Sequence, residues 1–477
     1  MSTSPDAGPD PQRWRALAVC LAAGFMTLLD ISIVNVALPS IREGTGATSS
    51  DLQWIVSGYA LTFGLVLVPA GRLGDVRSRR VMFVAGVATF AVSSVVAGLA
   101  PTALVLVVAR LAQGVGGGLL NPQISGLIQE QFRGAERGRA FGMLSATIGI
   151  STAIGPLLGG VIIRLLGEQQ GWRWIFFVNL PVGLVCIALA LRWVPEHTGG
   201  PRRREDLDVV GVLLLGAGVV SVLLPLVQER QWQGTQKWWL VALGALLLVV
   251  FVLWERRELA RGHHPLLDLR LFRLESYSAG TTIAVLYFSG FTSIFFIMTI
   301  YLQSGLGYSA LLAGLSLTPF AVGSAVSALP GGRLVSRLGR PLVVGGLVMV
   351  VVGLVLTDVV VARLGHDNAV AWWTAAPLLL AGLGSGLVIS PNLTLTVSDV
   401  PVPQAGTASG VMQTGQRMGT AAGIALIGSV FFATLGSTRG DYAVAVSHGL
   451  RVTVLIVALA LGAGIVDVWA TRRREAR

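Results

Sequence analysis

RALAVCLAAGFMTLLDISIVNVALPSI, residues 15–41, decides the fold. Beyond Arg15 at its start this stretch carries one charge, Asp30, and it exceeds the roughly 20 apolar residues that cross a hydrocarbon core about 30 Å thick. In lipid a single segment satisfies its own backbone only as a helix. Arg13 and Arg15 precede the run as they would a signal peptide. The run is too long for a signal core, holds Asp30 at its centre and lacks a small-residue cleavage site, so it reads as a mature membrane helix.

Outward from this stretch the same pattern recurs. The chain has 477 residues, 53% hydrophobic and 12% charged, and its mean hydropathy is +0.73. A soluble domain carries roughly 25% charged residues. Apolar runs predict membrane spans over 15–41, 52–71, 81–100, 103–129, 138–165, 173–194, 208–228, 238–255, 277–303, 309–335, 341–363, 371–396, 405–434 and 447–470. The expected fold class is an all-α polytopic membrane protein of fourteen transmembrane helices.

The net charge of +11 does not point to nucleic acid, because the basic residues lie between apolar runs without interleaved aromatics. Most of the arginines, among them Arg72, Arg77, Arg79, Arg80, Arg133, Arg137, Arg139, Arg333, Arg337, Arg340 and Arg472 to Arg474, fall on one side if the N-terminus is cytoplasmic. The positive-inside rule then places both termini in the cytoplasm of a multi-pass protein in the cytoplasmic membrane. Preference for arginine over lysine points to a GC-rich bacterium. Cys20 and Cys186 both lie within apolar runs, which excludes a disulfide framework and leaves too few ligands for a metal.

The two halves repeat. Gly71-Arg72-Leu73 returns as Gly332-Arg333-Leu334, and Gly114, Gly116 and Gly118 return as Gly382, Gly384 and Gly386. Gly138, Ala140, Gly142, Gly155 and Gly160 match Gly406, Ala408, Gly410, Gly423 and Gly428. The expected organisation is a tail over 1–14, a six-helix bundle over 15–200, two inserted helices over 201–262, a second six-helix bundle over 263–470 and a basic tail over 471–477. Such repetition suits a transporter whose halves rock about a central site.

Asp30 is the sharpest polar feature. A carboxylate at mid-membrane costs roughly 2.5–3.5 kcal/mol on insertion scales, so it is expected to face a watery cavity or take a proton. In span four Arg110, Gln113, Gly114, Gly117 and Asn121 share one helical face, from which Gln113 and Asn121 are expected to line the substrate cavity. Span five carries Gly149, Gly155, Pro156, Gly159 and Gly160, small residues for close helix approach around a proline bend. The turn from Gly71 to Arg80 joins Asp75 to Arg79 and Arg80, the makings of a latch between moving halves. Gln413, Gln416, Arg417 and Thr420 form a polar face in span thirteen that serves either a cavity wall or interhelical bonding. Asn35, Trp54, Tyr59, Tyr287 and Phe291 are further candidates for the cavity, although stripes of aromatics at helical spacing also serve plain packing. No phosphate-binding Gly-x-x-x-x-Gly-Lys loop appears, nor a nucleophile–base pair, so neither a catalytic residue nor a cofactor is expected.

Several of these stretches together resemble the 14-helix drug:proton antiporters of the major facilitator superfamily. Leu29 to Pro39, Arg110-Leu111-Ala112-Gln113-Gly114, Gly149 to Gly160 and Trp172 to Pro181 carry the likeness, which spans nearly the whole chain. The second-half copy of the latch turn has Ser336 where the first has Asp75. The resemblance implies a monomeric exporter of small amphipathic organic compounds, such as drugs, dyes or secondary metabolites, driven by the proton gradient. Asp30 and Arg110 would couple protons, and one lone carboxylate leans toward cationic cargo. A proton symporter for uptake and a non-transporting sensor on the same fold are the alternatives.

Overall fold

The computed structural model describes residues 12–167, 169–196, 208–227, 232, 234–263, 265–367 and 369–475. Among the described residues the ordered elements are helices, and fourteen helical stretches are long and apolar enough to cross a membrane. The first half comprises α1 (Arg13–Thr45), α2 (Ser49–Val76), α3 (Arg79–Leu99), α4 (Ala103–Gln131), α5 (Gly134–Leu166), α6 (Gly171–Phe177) and α7 (Asn179–Trp193). Helices α6 and α7 form one span. Pro181 has no N–H to donate to the preceding turn, so the helical ladder restarts at Asn179.

Two helices then stand apart from the repeats, α8 (Val209–Val227) and α9 (Trp238–Ala260). The second half comprises α10 (Glu275–Ile300), α11 (Ala310–Leu338), α12 (Arg340–Leu364), α13 (Val370–Thr396), α14 (Ala405–Ser437) and α15 (Tyr442–Glu475). A wide π-type turn over Tyr301–Gly305 continues α10. Residues 1–11, 197–207 and 476–477 of the expected tails and linker lie outside the described residues. The expected basic tail from 471 is helical as far as Glu475, because the apolar face of α15 carries the helix through its arginines.

Each half buries its own apolar core. Phe63, Phe83, Phe90 and Phe141 centre the first, and Tyr287, Ile297, Phe320 and Phe431 the second. Leucines and valines cover the outer surface, with Trp238, Trp239, Trp372 and Trp373 exposed at span ends, where interfacial rings belong.

The halves meet along two seams related by the repeat. In one, a Cβ on Gly406 would lie 2.8 Å from the Gly71 carbonyl, and one on Gly410 2.5 Å from that of Leu67. In the other, a Cβ on Gly142 would lie 2.9 Å from the Ala328 carbonyl, and Gly138 abuts Gly332. Only residues without side chains let these backbones approach so closely. Both seams occupy the end of the bundle that holds the arginine-rich turns, here the basic end. Farther along, the glycines turn inward to their own half: Gly155 and Gly159 close on Ser32 and Ile33 of α1, and Gly419 and Gly423 on Val285 and Ser289 of α10. Gly160 and Gly314, toward the opposite end, have open space where a side chain would go. The inserted α8 lies beside the α2–α14 seam, with Leu223 against Gly64 and Leu65 against Gly216.

Candidate functional site

Asp30 is 1% exposed and Arg110 likewise 1%, and the two form an ion pair inside the first half. The other Asp30 oxygen accepts from Asn179 Nδ2 at 3.0 Å and from Gln113 Nε2 at 3.3 Å. Ser94 Oγ ties these amides together, 2.6 Å from Gln113 and 3.3 Å from Asn179. Arg110 also donates to Gln113 Oε1 at 2.9 Å and, through Nε, to the Ile55 carbonyl at 3.0 Å. Every group around Asp30 is a donor, the arrangement of an ionised carboxylate. Two charges so deep cost several kcal/mol each to dehydrate, and only this density of partners makes the burial sustainable.

This cluster corrects two expectations. Asp30 does not face a watery cavity; helices α1, α2, α3, α4 and α7 and the rings of Tyr59 and Phe176, 4.5 and 5.9 Å from the Arg110 guanidinium, enclose the pair. Gln113 is not a cavity wall but a member of the buried network. Asn179 and Ser94 escaped the residue reading. The Asn-Leu-Pro start of α7 signals a helix origin, yet nothing local says that it points at Asp30; Ser94 is one of many small polar residues in apolar runs.

Tyr59 connects this interior to the seam. Its ring stacks on Arg110 and lies 5.9 Å from Phe63, and Arg417 of α14 lies over the other ring, 4.6 Å from the Phe63 centroid. Tyr59 thus lies within electrostatic reach of Asp30, Arg110 and Arg417 at once. Its hydroxyl is buried without a hydrogen-bond partner. Tyr59 is 2% exposed, so it separates the buried pair from Arg417 instead of lining an open wall.

At the basic end Asp75 bridges the halves. One carboxylate oxygen accepts from Gly406 N at 3.0 Å; the other accepts from Thr407 N at 2.7 Å and Thr407 Oγ1 at 2.9 Å. The N–H groups of a helix's first turn have no partners within the helix, and a carboxylate there also meets the positive end of the dipole. Arg79 holds Asp75 at 2.8 Å, Glu130 at 2.9 Å and the Val402 carbonyl at 2.7 Å, a second tie across the halves. Ser78 caps α3 and so fixes the base of Arg79. Arg80 departs from its expected role: it reaches the Leu191 carbonyl and Glu196 within its own half. In the repeat, Ser336 bonds back to Arg333 on its own helix. There α5 starts at Gly134, a turn before Gly138, so the N–H at the seam already has a helical partner and needs no acid.

The other candidates scatter. Tyr287, 1% exposed, belongs to the packed core of the second half with Phe291, whose ring lies 5.6 Å away and which also touches Phe295 and Phe320. Asn35 is exposed and bonds to the Ile31 carbonyl at 3.2 Å; Asn121 is half-buried and bonds to Gly117 at 3.0 Å. Trp54 and Gln413 are half-buried. Gly149 meets Ala325 at 3.4 Å across the α5–α11 seam, whereas Gly155 and Gly159 serve α1. The side chain of Pro156 lies outside the described residues.

Comparison with known proteins agrees with this architecture. The sequence model of the Major Facilitator Superfamily matches residues 20–424. The chain is 38% identical over 437 residues to the "Probable actinorhodin transporter" of Streptomyces coelicolor, covering 90% of this chain and 75% of that protein. It is 34% identical over 476 residues to the "Puromycin resistance protein pur8" of Streptomyces alboniger, covering 95% and 92%. Among solved structures it is similar to the human organic anion transporter MFSD10 (TETRAN), with a TM-score of 0.67 and 14% identity over 94% of this chain and all of that one, a likeness of fold alone.

Proposed function

The chain belongs to the Major Facilitator Superfamily, and from that premise we propose that it is a proton-coupled antiporter that exports small amphipathic organic compounds by alternating access. Both termini face the cytoplasm in this reading, so the basic end is the cytoplasmic one and the described state is closed toward the cytoplasm. The two relatives above are named for transport of, or resistance to, an antibiotic, which supports export.

The observation that carries the coupling is the Asp30–Arg110 pair stacked through Tyr59 toward Arg417. Asp30 does not meet cargo directly. A proton on Asp30 would remove the charge that holds Arg110, free the guanidinium to shift against Tyr59, and so move the wall that faces the other half. Asp75 and Arg79 hold the cytoplasmic end shut until the seams part. The power comes from the gradient, roughly 2.3 kcal/mol per charge per 100 mV. No cofactor enters this scheme, and a single chain contains every part of it.

The test is flux in proteoliposomes with an imposed proton gradient. Wild type concentrates cargo against its own gradient, and Asp30→Asn carries out only downhill exchange. Uphill transport by Asp30→Asn at the wild-type rate would refute the coupling role, and uptake in the direction of proton entry would favour the symporter.

A further inference from the structure

We propose that the cargo is an organic anion and that Arg417 holds its negative group. This rests on the exporter reading above and names the substrate class of that same space.

Several charges inside the spans are paired. Asp30 is neutralised by Arg110, Asp75 by Arg79 at 2.8 Å, Asp467 by Arg340 at 2.7 Å and Asp358 by Arg451 at 3.1 Å. Arg417 joins no ion pair and no hydrogen bond among the described residues, and the titratable group within its electrostatic reach is the neutral Tyr59 phenol. An arginine within a span is as costly as Asp30, and here no carboxylate among the described residues pairs with it.

Its position gives that charge a use. Along α14 the contacts with α2 run from Gly406 through Gly410 and Thr414, whose hydroxyl lies 3.4 Å from the Gly64 carbonyl, and end at Arg417. On a neighbouring face of the same helix Gly415, Gly419 and Gly423 close on Val285 and Ser289 of α10. Arg417 therefore stands on the face of α14 that meets α2, its Cβ 4.0 Å from where a Cβ on Gly64 would lie, between the two halves. Phe63 covers one side of the guanidinium, 4.6 Å from its carbon to the ring centroid, and the N–H fork has no hydrogen-bond partner among the described residues; such a fork takes a carboxylate or ionised phenol in two parallel bonds. Phe63 and Tyr59 are themselves buried, so the contact offered to cargo is the guanidinium fork. A cationic cargo meets an unpaired like charge here, and Asp30, sealed behind Tyr59 with its charge already matched, offers it nothing. The leaning toward cations drawn from a lone carboxylate is thereby reversed.

The charge balance has a consequence. An anion leaving while a proton enters moves positive charge inward on both counts, so transport is electrogenic even at one proton per cargo. A monovalent cation exchanged for one proton moves none.

The experiment uses the full chain, purified and reconstituted, with carboxyfluorescein as the aromatic anion and ethidium as the cation. Binding is followed by fluorescence anisotropy and flux under a proton gradient, with potential set by potassium and valinomycin. Carboxyfluorescein is expected to bind and to move, faster with the potential negative on the side it leaves. Arg417→Gln is expected to weaken its binding by at least about tenfold, the loss of a charge-assisted bond, and Arg417→Lys to recover part of it. Flux of ethidium without carboxyfluorescein overturns the anion assignment and leaves the exporter reading standing. Arg417-dependent binding of carboxyfluorescein without flux upholds the anion site and overturns the exporter. Binding of neither probe, or carboxyfluorescein binding unchanged in Arg417→Gln, overturns the proposal. The wild-type comparison decides the class even if a variant fails to fold.

Discussion

Asp75 of α2 lies against the first turn of α14, accepting the Thr407 N–H at 2.7 Å and the Thr407 hydroxyl at 2.9 Å. Arg79 pairs with it from its own half at 2.8 Å, while Gly406 and Thr407 belong to the other, so these bonds to α14 exist only while the basic end is shut.

Asp75→Ala should therefore open that end. Each hydrogen bond to a charged group contributes about 1.5–3 kcal/mol, and about 1.4 kcal/mol is already a tenfold shift between states. Spin labels at the exposed Arg133 and Ser336, one on each half, should report a longer distance in the variant. An unchanged distance distribution would show that the glycine seams alone hold the closure.

Gly410→Val tests those seams. A side chain at this position meets the Leu67 carbonyl at 2.5 Å, where backbone has no room to yield. Flux should fall to background while membrane insertion and the helical circular-dichroism signal persist. Gly314→Ala, which meets nothing within 4 Å, is the matched control and should transport like wild type.

Tyr59→Phe separates ring from hydroxyl. The hydroxyl is buried without a partner, so its removal leaves no group newly unsatisfied and should change thermal stability by less than about 1 kcal/mol. Gradient-driven flux should survive in Tyr59→Phe and fail in Tyr59→Ala, where Arg110 and Arg417 lose the ring between them. Loss of coupling in Tyr59→Phe would instead assign the work to the hydroxyl.

Asn179→Leu removes the 3.0 Å donor from Asp30 and leaves that oxygen with the 3.3 Å bond from Gln113 alone. The pH–rate profile of gradient-driven transport should be displaced from that of wild type, with cargo affinity measured without a gradient unaltered. Superimposable profiles would exclude Asn179 from proton handling.

Much of the molecule was legible along the chain. Apolar runs of bilayer length leave no choice but helices, since lipid offers nothing to an unpaired N–H, and spacing alone located the fourteen spans and the repeated glycines. Asp30, Arg110 and Asp75 were conspicuous because charge in such surroundings needs a reason.

What those charges bond to was not legible. Asn179 lies far along the chain from Asp30, and only the packing of α7 against α1 and α3 brings it there; Asp75 and Thr407 belong to different repeats. That Arg417 finds no ion pair among the described residues, and that Tyr59 lies between it and Asp30, are facts of how helices face one another. A linear pattern states which side chains a helix presents on each face. It does not state which neighbour will be waiting there, because in lipid that depends on the close fit of many small residues at once and not on any single run.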